Sequence, residues 1–279
     1  MKAFIVYWHP EPKSFNNALF STAQKALMHA GWEVKTSDLY AMAFDPVSSR
    51  ANFQSVKDPA FLKLQIEEMH ATEINGFSPD LELEMQKIEW CDLMIWQFPL
   101  WWFGLPAVLK GWVDRTFAMG RTYGGGRIYE TGVFKGKRAL LSLTTGGPAE
   151  AYTKDGFNGD ILGILKPIHR GMLEFVGFDV LAPHIVYAPV RMSDEQRERE
   201  IEKYGRRLAE MPSKALQRTA NAVAELGCYL PLKNLTCYTS MNTPVGLWVK
   251  KALSRHWSKH WGGNCSPKSQ DPKKKRGRG

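Results

Sequence analysis

The chain has 279 residues, 44% hydrophobic and 12% aromatic, which supports one sizeable core with appendages. It holds no run of 18 or more apolar residues, and Met1 leads straight into AFIVYW rather than a cleavable leader, so a membrane span and secretion are not expected. The net charge of +9 sits at one end: residues 248–279 carry ten Lys or Arg against Asp271, which excludes a basic nucleic-acid face on the body that precedes them.

Residues 3–8 (AFIVYW) read as a first strand. Ser14 then caps a helix from about Phe15, with Ala18, Leu19, Ala23, Ala26 and Leu27 on one face and Gly31 at its end. Residues 32–39 (WEVKTSDL) alternate as a second strand, and residues 40–77 lack a strong period and read as a long excursion. Ser78-Pro79-Asp80 opens a helix that runs to about Trp90, with a cap, proline at the first position and an early acid. Cys91 begins the next apolar run as a buried thiol. With Cys228, Cys237 and Cys265 it makes no CxxC pair, so no metal is expected and the compartment reads as reducing and cytoplasmic.

Residues 92–98 (DLMIWQF) form a third strand, followed by the loop PLWWFG and a helix over 106–117. Residues 138–145 (RALLSLTT) form a fourth strand. A helix covers roughly 159–176, with Pro167 as the point where it kinks or divides. A fifth strand lies in 178–187, and Ser193 with Gln196 makes a capping box for a last clear helix over 194–210. Strands this apolar, alternating with helices, are buried on both faces. The expected architecture is a doubly wound α/β sheet of five parallel strands with helices on both faces. Three segments follow: a folded domain over 1–211, an irregular C-terminal extension over 212–262, and a basic disordered tail over 263–279 ending PKKKRGRG. The tail reads as a solvated end, so nucleic acid is expected as a partner only if that tail contacts it.

In such a sheet, ligands bind beyond the carboxyl ends of the strands. Three loops fall there. HPEPKSFNNA leads into a helix N-terminus whose free amides suit a phosphate, although an ordinary cap has the same sequence. PLWWFG offers flat apolar surface, as a core plug or a dimer patch also would. TTGG supplies two hydroxyls and two glycines that let the backbone approach a ring, as a plain turn also could. Together they suit a flat, phosphate-bearing cofactor such as a flavin.

These loops carry a resemblance. SFNNA, GWEVKTSDLYAMAFDP, QFPLWWFGLPAVLKGWVDR, TTGGPAEAYTKDGFNGD and GMLEFVGFDVL, in that order over about residues 1–210, resemble the flavodoxin-like NAD(P)H:quinone oxidoreductases of the DT-diaphorase group. The resemblance implies a cytoplasmic homodimer that passes hydride from NADH or NADPH through FAD to a quinone by a ping-pong mechanism. It implies FAD contacts at His9, Phe15, Asn16, Leu100, Trp101, Trp102, Phe103, Thr144, Thr145, Gly146, Gly147, Tyr152 and Arg197. It implies a substrate contact at Tyr123 and catalytic roles for Tyr152 and Asn158. Two positions depart from the family pattern. Asn158 stands where a histidine partners the tyrosine, and Gly124-Gly125-Gly126 replaces bulkier residues. An asparagine does not titrate, so a proton relay through it is not expected. Other readings stay open: an FMN-dependent azo- or nitroreductase, a modulator-type quinone reductase, or a non-enzymatic dimer that binds through its tail.

Overall fold

The computed structural model describes residues 1–211; the extension over 212–262 and the tail over 263–279 lie outside the described residues. The elements run β1 (Lys2–Tyr7), α1 (Phe15–His29), β2 (Glu33–Asp38), α2 (Leu64–Ile74), α3 (Pro79–Trp90), β3 (Leu93–Pro99), α4 (Ala107–Thr116), β4 (Arg138–Thr145), α5 (Ile161–Ile168), β5 (Asp179–Val180), β6 (His184–Tyr187) and α6 (Asp194–Ala209). All strands are parallel, in the order β2-β1-β3-β4, with β5 and β6 both pairing β4. The sheet is doubly wound, with the 2-1-3-4-5 strand order of the flavodoxin-like architecture.

Side-chain alternation splits the core in two. Ile5, Leu93, Ile95, Leu140 and Val186 pack against Leu19, Phe20, Ala23 and Leu27 of α1 and against Tyr204 and Leu208 of α6. Phe4, Val6, Met94, Trp96, Phe98, Leu141 and Leu143 point the other way, toward α3, α4 and α5. Every residue of β3 and β4 is buried. Strands so placed must be apolar throughout, which is why their sequence reads as a continuous run.

The local signals act as the chemistry requires. Ser14 accepts from the Asn17 amide at 3.1 Å and starts α1. Ser193 and Gln196 cap α6 reciprocally. Cys91 is buried, and its thiol donates to the Ile88 carbonyl at 3.3 Å. At α3, Pro79 takes the first position but Ser78 makes no side-chain cap; its hydroxyl is buried without a partner. Pro167 does not divide its helix. With no N–H to give, it is followed by a wider π-helical turn over His169–Glu174, and the chain stays helical.

Two expectations need correction. The fifth strand is broken into β5 and β6, so the sheet has six strands rather than five. From Ala139 to Ser142 the chain takes three steps on β4, while their partners Val180 and His184 are four apart. The surplus residue bulges, and Pro183, which lacks an amide for the ladder, lies in the bulge. The excursion over 40–77 also contains a helix, α2. Its buried stripe is Glu67, Glu68 and Ala71, acidic instead of apolar. Glu67 accepts from the amides of Lys57 and Asp58, and Glu68 accepts from the Met119 amide at 2.7 Å. These carboxylates tie the loop at Lys57 and Asp58 and the segment after α4 to α2. Burial pushes the Glu68 carboxyl up.

His184 is buried on β6, its ring stacked on Tyr204 at a centroid distance of 4.3 Å. Burial first, then Arg207 and Lys203, push its imidazole down to about 4 from 6.5. The unfolded chain binds a proton in that interval and the folded chain refuses it. Stability from this group is therefore full above about pH 6.5 and is lost as pH falls toward about 4, by on the order of 3 kcal/mol. His184→Phe keeps the stack and should flatten the slope of Tm against pH between about 5 and 6.5. Parallel slopes in the two proteins would contradict this origin.

Candidate functional site

A cleft of about 880 Å³ opens beyond the carboxyl ends of β1, β3 and β4. The loop after β1 gives it His9, Lys13 and Ser14, and the first turn of α1 gives Phe15 and Asn16. The loop after β3 gives Pro99, Leu100 and Trp101, and the end of β4 gives Thr144, Thr145 and Gly146. Asp194, Arg197, Glu198 and Ile201 of α6 close the remaining side. The three loops singled out from the sequence thus meet in one place. The α6 wall, apart from Arg197, was not read from the sequence. Its signal is the spacing 194, 197, 198 and 201, which places four side chains on one helical face.

The β1 loop is shaped by its own polar groups. The Glu11 amide donates to His9 Nδ1 at 3.0 Å, so His9 carries its proton on Nε2. Burial lowers the His9 pKa, with Glu11 opposing. The loop delivers the chain to Ser14, beyond which the first amides of α1 have no helical acceptor. Asn16 is buried, and its Nδ2 donates to Thr144 Oγ1 at 2.9 Å. Arg197 is more than a solvated helix residue. Its guanidinium donates to the Met192 carbonyl at 2.6 Å and the Pro189 carbonyl at 3.3 Å, and pairs with Asp194. These bonds hold the loop before α6 against the cleft.

The aromatic loop divides. Trp101 enters the cleft wall and meets Trp8 edge-on at 5.0 Å. Trp102 and Phe103 do not line the cleft. Trp101 and Gly104 exchange backbone hydrogen bonds at 3.2 and 2.9 Å, closing a two-residue turn with Trp102 and Phe103 at its corners. Both corners are left-handed, with φ of 50° and 57°. That geometry belongs to Asn-Gly turns, and it sends Trp102 out to 98% exposure.

Gly147, Tyr152 and Asn158 lie beside the cleft lining. A Cβ on Gly147 would stand 3.1 Å from the Tyr152 ring, 3.6 Å from its Oη and 3.5 Å from Asn158 Nδ2. The missing side chain is therefore what lets the phenol and the carboxamide converge on one spot. Tyr123 stands apart from them. Its ring meets Phe175 at 5.7 Å and its hydroxyl accepts from Gln65 at 3.4 Å.

The donor set suits a particular kind of ligand. Helix-end amides, Lys13 and Arg197 favour anionic oxygens, and Leu100 with Trp101 offers apolar wall. Thr144, Thr145 and Gly146 border the cleft with hydroxyl and backbone groups. An elongated molecule with phosphate at one end and a flat ring at the other fits these walls.

A family model for the flavodoxin-like fold matches residues 1–210. The chain is 42% identical over 208 residues to the ribosyldihydronicotinamide dehydrogenase [quinone] of Homo sapiens, covering 74% of this chain and 90% of that protein. It is 46% identical over 187 residues to NAD(P)H dehydrogenase [quinone] 1 of Cavia porcellus, covering 67% and 68%. Among solved structures, a Klebsiella pneumoniae protein named as a quinone reductase superposes with a TM-score of 0.72 at 39% identity, covering 75% and 83%.

Left-handed corners cost about 1–2 kcal/mol for most side chains, and asparagine tolerates them best after glycine. Trp102→Asn should therefore raise stability by about 0.5–1 kcal/mol, seen calorimetrically as a Tm higher by roughly one to four degrees. A lower Tm would mean that the exposed indole is covered in solution.

Proposed function

The chain belongs to the flavodoxin-like NAD(P)H:quinone oxidoreductases, and from that premise we propose that it oxidises NADH or NADPH and reduces a quinone through FAD, in a ping-pong sequence, as a homodimer. The observation that carries this reading is the single cleft joining three strand-end loops to the α6 wall. No helix of the described residues is long and apolar enough to cross a membrane.

The bound flavin supplies the two-electron chemistry; the protein binds, orients and excludes water. The amides of Phe15 and Asn16, with Lys13, His9 and Arg197, hold the phosphate end. Leu100 and Trp101 form the wall for the ring system. Thr144, Thr145, Gly146 and Gly147 meet its polar rim. Donors on that rim stabilise negative charge that develops on reduction.

Tyr152 is buried to 8% exposure, and its hydroxyl meets the Gly147 gap beside Asn158 Nδ2. We assign it to the reacting edge, with Asn158 beside it as a fixed carboxamide that orients the acceptor. The proton that accompanies reduction then comes from Tyr152 or from solvent. Phe103 and Phe157 hold their rings 50% and 98% exposed in one chain. A second subunit gives such rings cover, and it also brings Tyr123 into substrate contact.

The test begins with the absorption spectrum of the purified protein and chromatography of the released cofactor. Bound FAD, bleached by NAD(P)H and restored by a quinone, is the expected result. Bound FMN would turn the assignment toward an azo- or nitroreductase, and a protein that takes up neither flavin would refute it. Arg197→Ala should weaken FAD binding by about tenfold in fluorescence titration. Tyr152→Phe should lower kcat by roughly ten- to a hundredfold, with little change in bound FAD. Asn158→His should add a titration near neutral pH to the profile of turnover. An unchanged profile would remove Asn158 from the mechanism.

A further inference from the structure

Gln97 is a carboxamide in the middle of the sheet. It is fully buried on β3, and it does not line the cleft. A buried polar group costs stability unless hydrogen bonds compensate it, so its bonds show what holds it there. Gln97 Nε2 donates to Asn16 Oδ1 at 2.9 Å, and Asn16 Nδ2 donates to Thr144 Oγ1 at 2.9 Å. Asn16 and Thr144 are both in the cleft wall. A chain of two bonds therefore runs from the sheet centre to the cleft floor.

That chain has a direction. A carboxamide nitrogen only donates and its oxygen only accepts. Gln97 fixes Asn16 with the oxygen facing down and the nitrogen facing Thr144. Thr144 then accepts from below, and its one hydroxyl proton is left for the cleft. The reverse chain would run Thr144 to Asn16 to Gln97, and the hydroxyl would reach the cleft as an acceptor only.

The sense follows from the bonds themselves, in which Gln97 Nε2 and Asn16 Nδ2 are the donors. Ser142 is its register partner on β4. Ser142 Oγ and Gln97 Oε1 are both buried without a hydrogen-bond partner. With the amide oxygen on that side, the Ser142 hydroxyl can turn toward it or toward the Tyr204 hydroxyl.

We propose that Gln97 is a positioning residue that commits Thr144 to donate into the cleft, and so selects a ligand edge that presents acceptors. This rests on the flavin reading: the ring system of a flavin carries carbonyl oxygens and unprotonated nitrogens on such an edge. Gln97 acts only through Asn16 and Thr144.

The test uses full-length apoprotein titrated with FAD, and with FMN in parallel, following flavin fluorescence. The variants are Gln97→Leu, Thr144→Val and the double substitution, with Tm and circular dichroism measured on each. Gln97→Leu is expected to raise the FAD dissociation constant by about tenfold, and Thr144→Val by a similar factor. The double variant is expected to bind no more weakly than Thr144→Val alone, because both changes remove one donor. Thr144→Ser, which keeps the hydroxyl, should bind within about twofold of the parent protein, and Gln97→Leu should weaken that variant as it weakens the parent. If Gln97→Leu weakens FAD equally with and without the Thr144 hydroxyl, Gln97 is a packing residue and the proposal falls. It falls also if Gln97→Leu binds FAD as the parent does. Gln97→Met, unbranched like glutamine, replaces Gln97→Leu if that variant fails to fold; if neither folds, Gln97 serves the core and the proposal is overturned. A parent protein that binds neither flavin would instead refute the flavin reading, before any variant is compared.

Discussion

Between β1 and β3 the chain leaves the sheet in opposite directions, and the rest of the site depends on that divergence. The two strands are neighbours in register, Tyr7 beside Gln97. After β1 the chain turns to α1 on one face, and after β3 it turns to α4 on the other. Neither loop can fill the space between them, so a gap opens where both strands end. Every later feature has to respect it. The first amides of α1 look into the gap, PLWWFG forms its lip, and β4 brings Thr144 and Thr145 up beside it. The last helix of the described residues, α6, packs along α1 and closes the fourth wall. The fold thus creates a place for a ligand before any side chain specifies which one.

Much of this was legible in the sequence because its signals are local. β4 is a run of apolar residues between turns, and it spans the residues that the run marks. Ser14 and the Ser193–Gln196 box fix helix starts through bonds only three residues long. The misses arise where the deciding partner is far away. The α2 stripe is buried by Glu67 and Glu68, whose purpose depends on amides at Lys57, Asp58 and Met119. An acidic stripe read alone looks solvated. The break after Val180 depends on how β4 counts its residues, which no local pattern in 178–187 records.

The site shows the same division. The loops were found because strand-end position and residue type agree. The resemblance placed Trp101, Trp102 and Phe103 as one unit, but the structure separates them by backbone handedness, which aromatic side chains do not advertise. Gln97 lies inside DLMIWQF, where one polar residue in an apolar run passes for tolerance. Its meaning comes from Asn16, 81 positions earlier, and Thr144, 47 positions later. Polar residues buried at the centre of a parallel sheet are places where sequence alone says least and hydrogen-bond direction says most.

The interrupted fifth strand has a consequence for the molecule in a crowded solution. A strand at the rim of a sheet exposes a row of unpaired amides and carbonyls, and a long flat row invites another chain to pair with it. Here the rim consists of two residues, a bulge and four residues, with a proline in the middle. Arg207 donates to the carbonyls of Ala182 and Pro183, so acceptors at the kink are already engaged. A foreign strand would find no uninterrupted template along this side. The same irregularity that shortens the sheet makes its border a poor seed for aggregation.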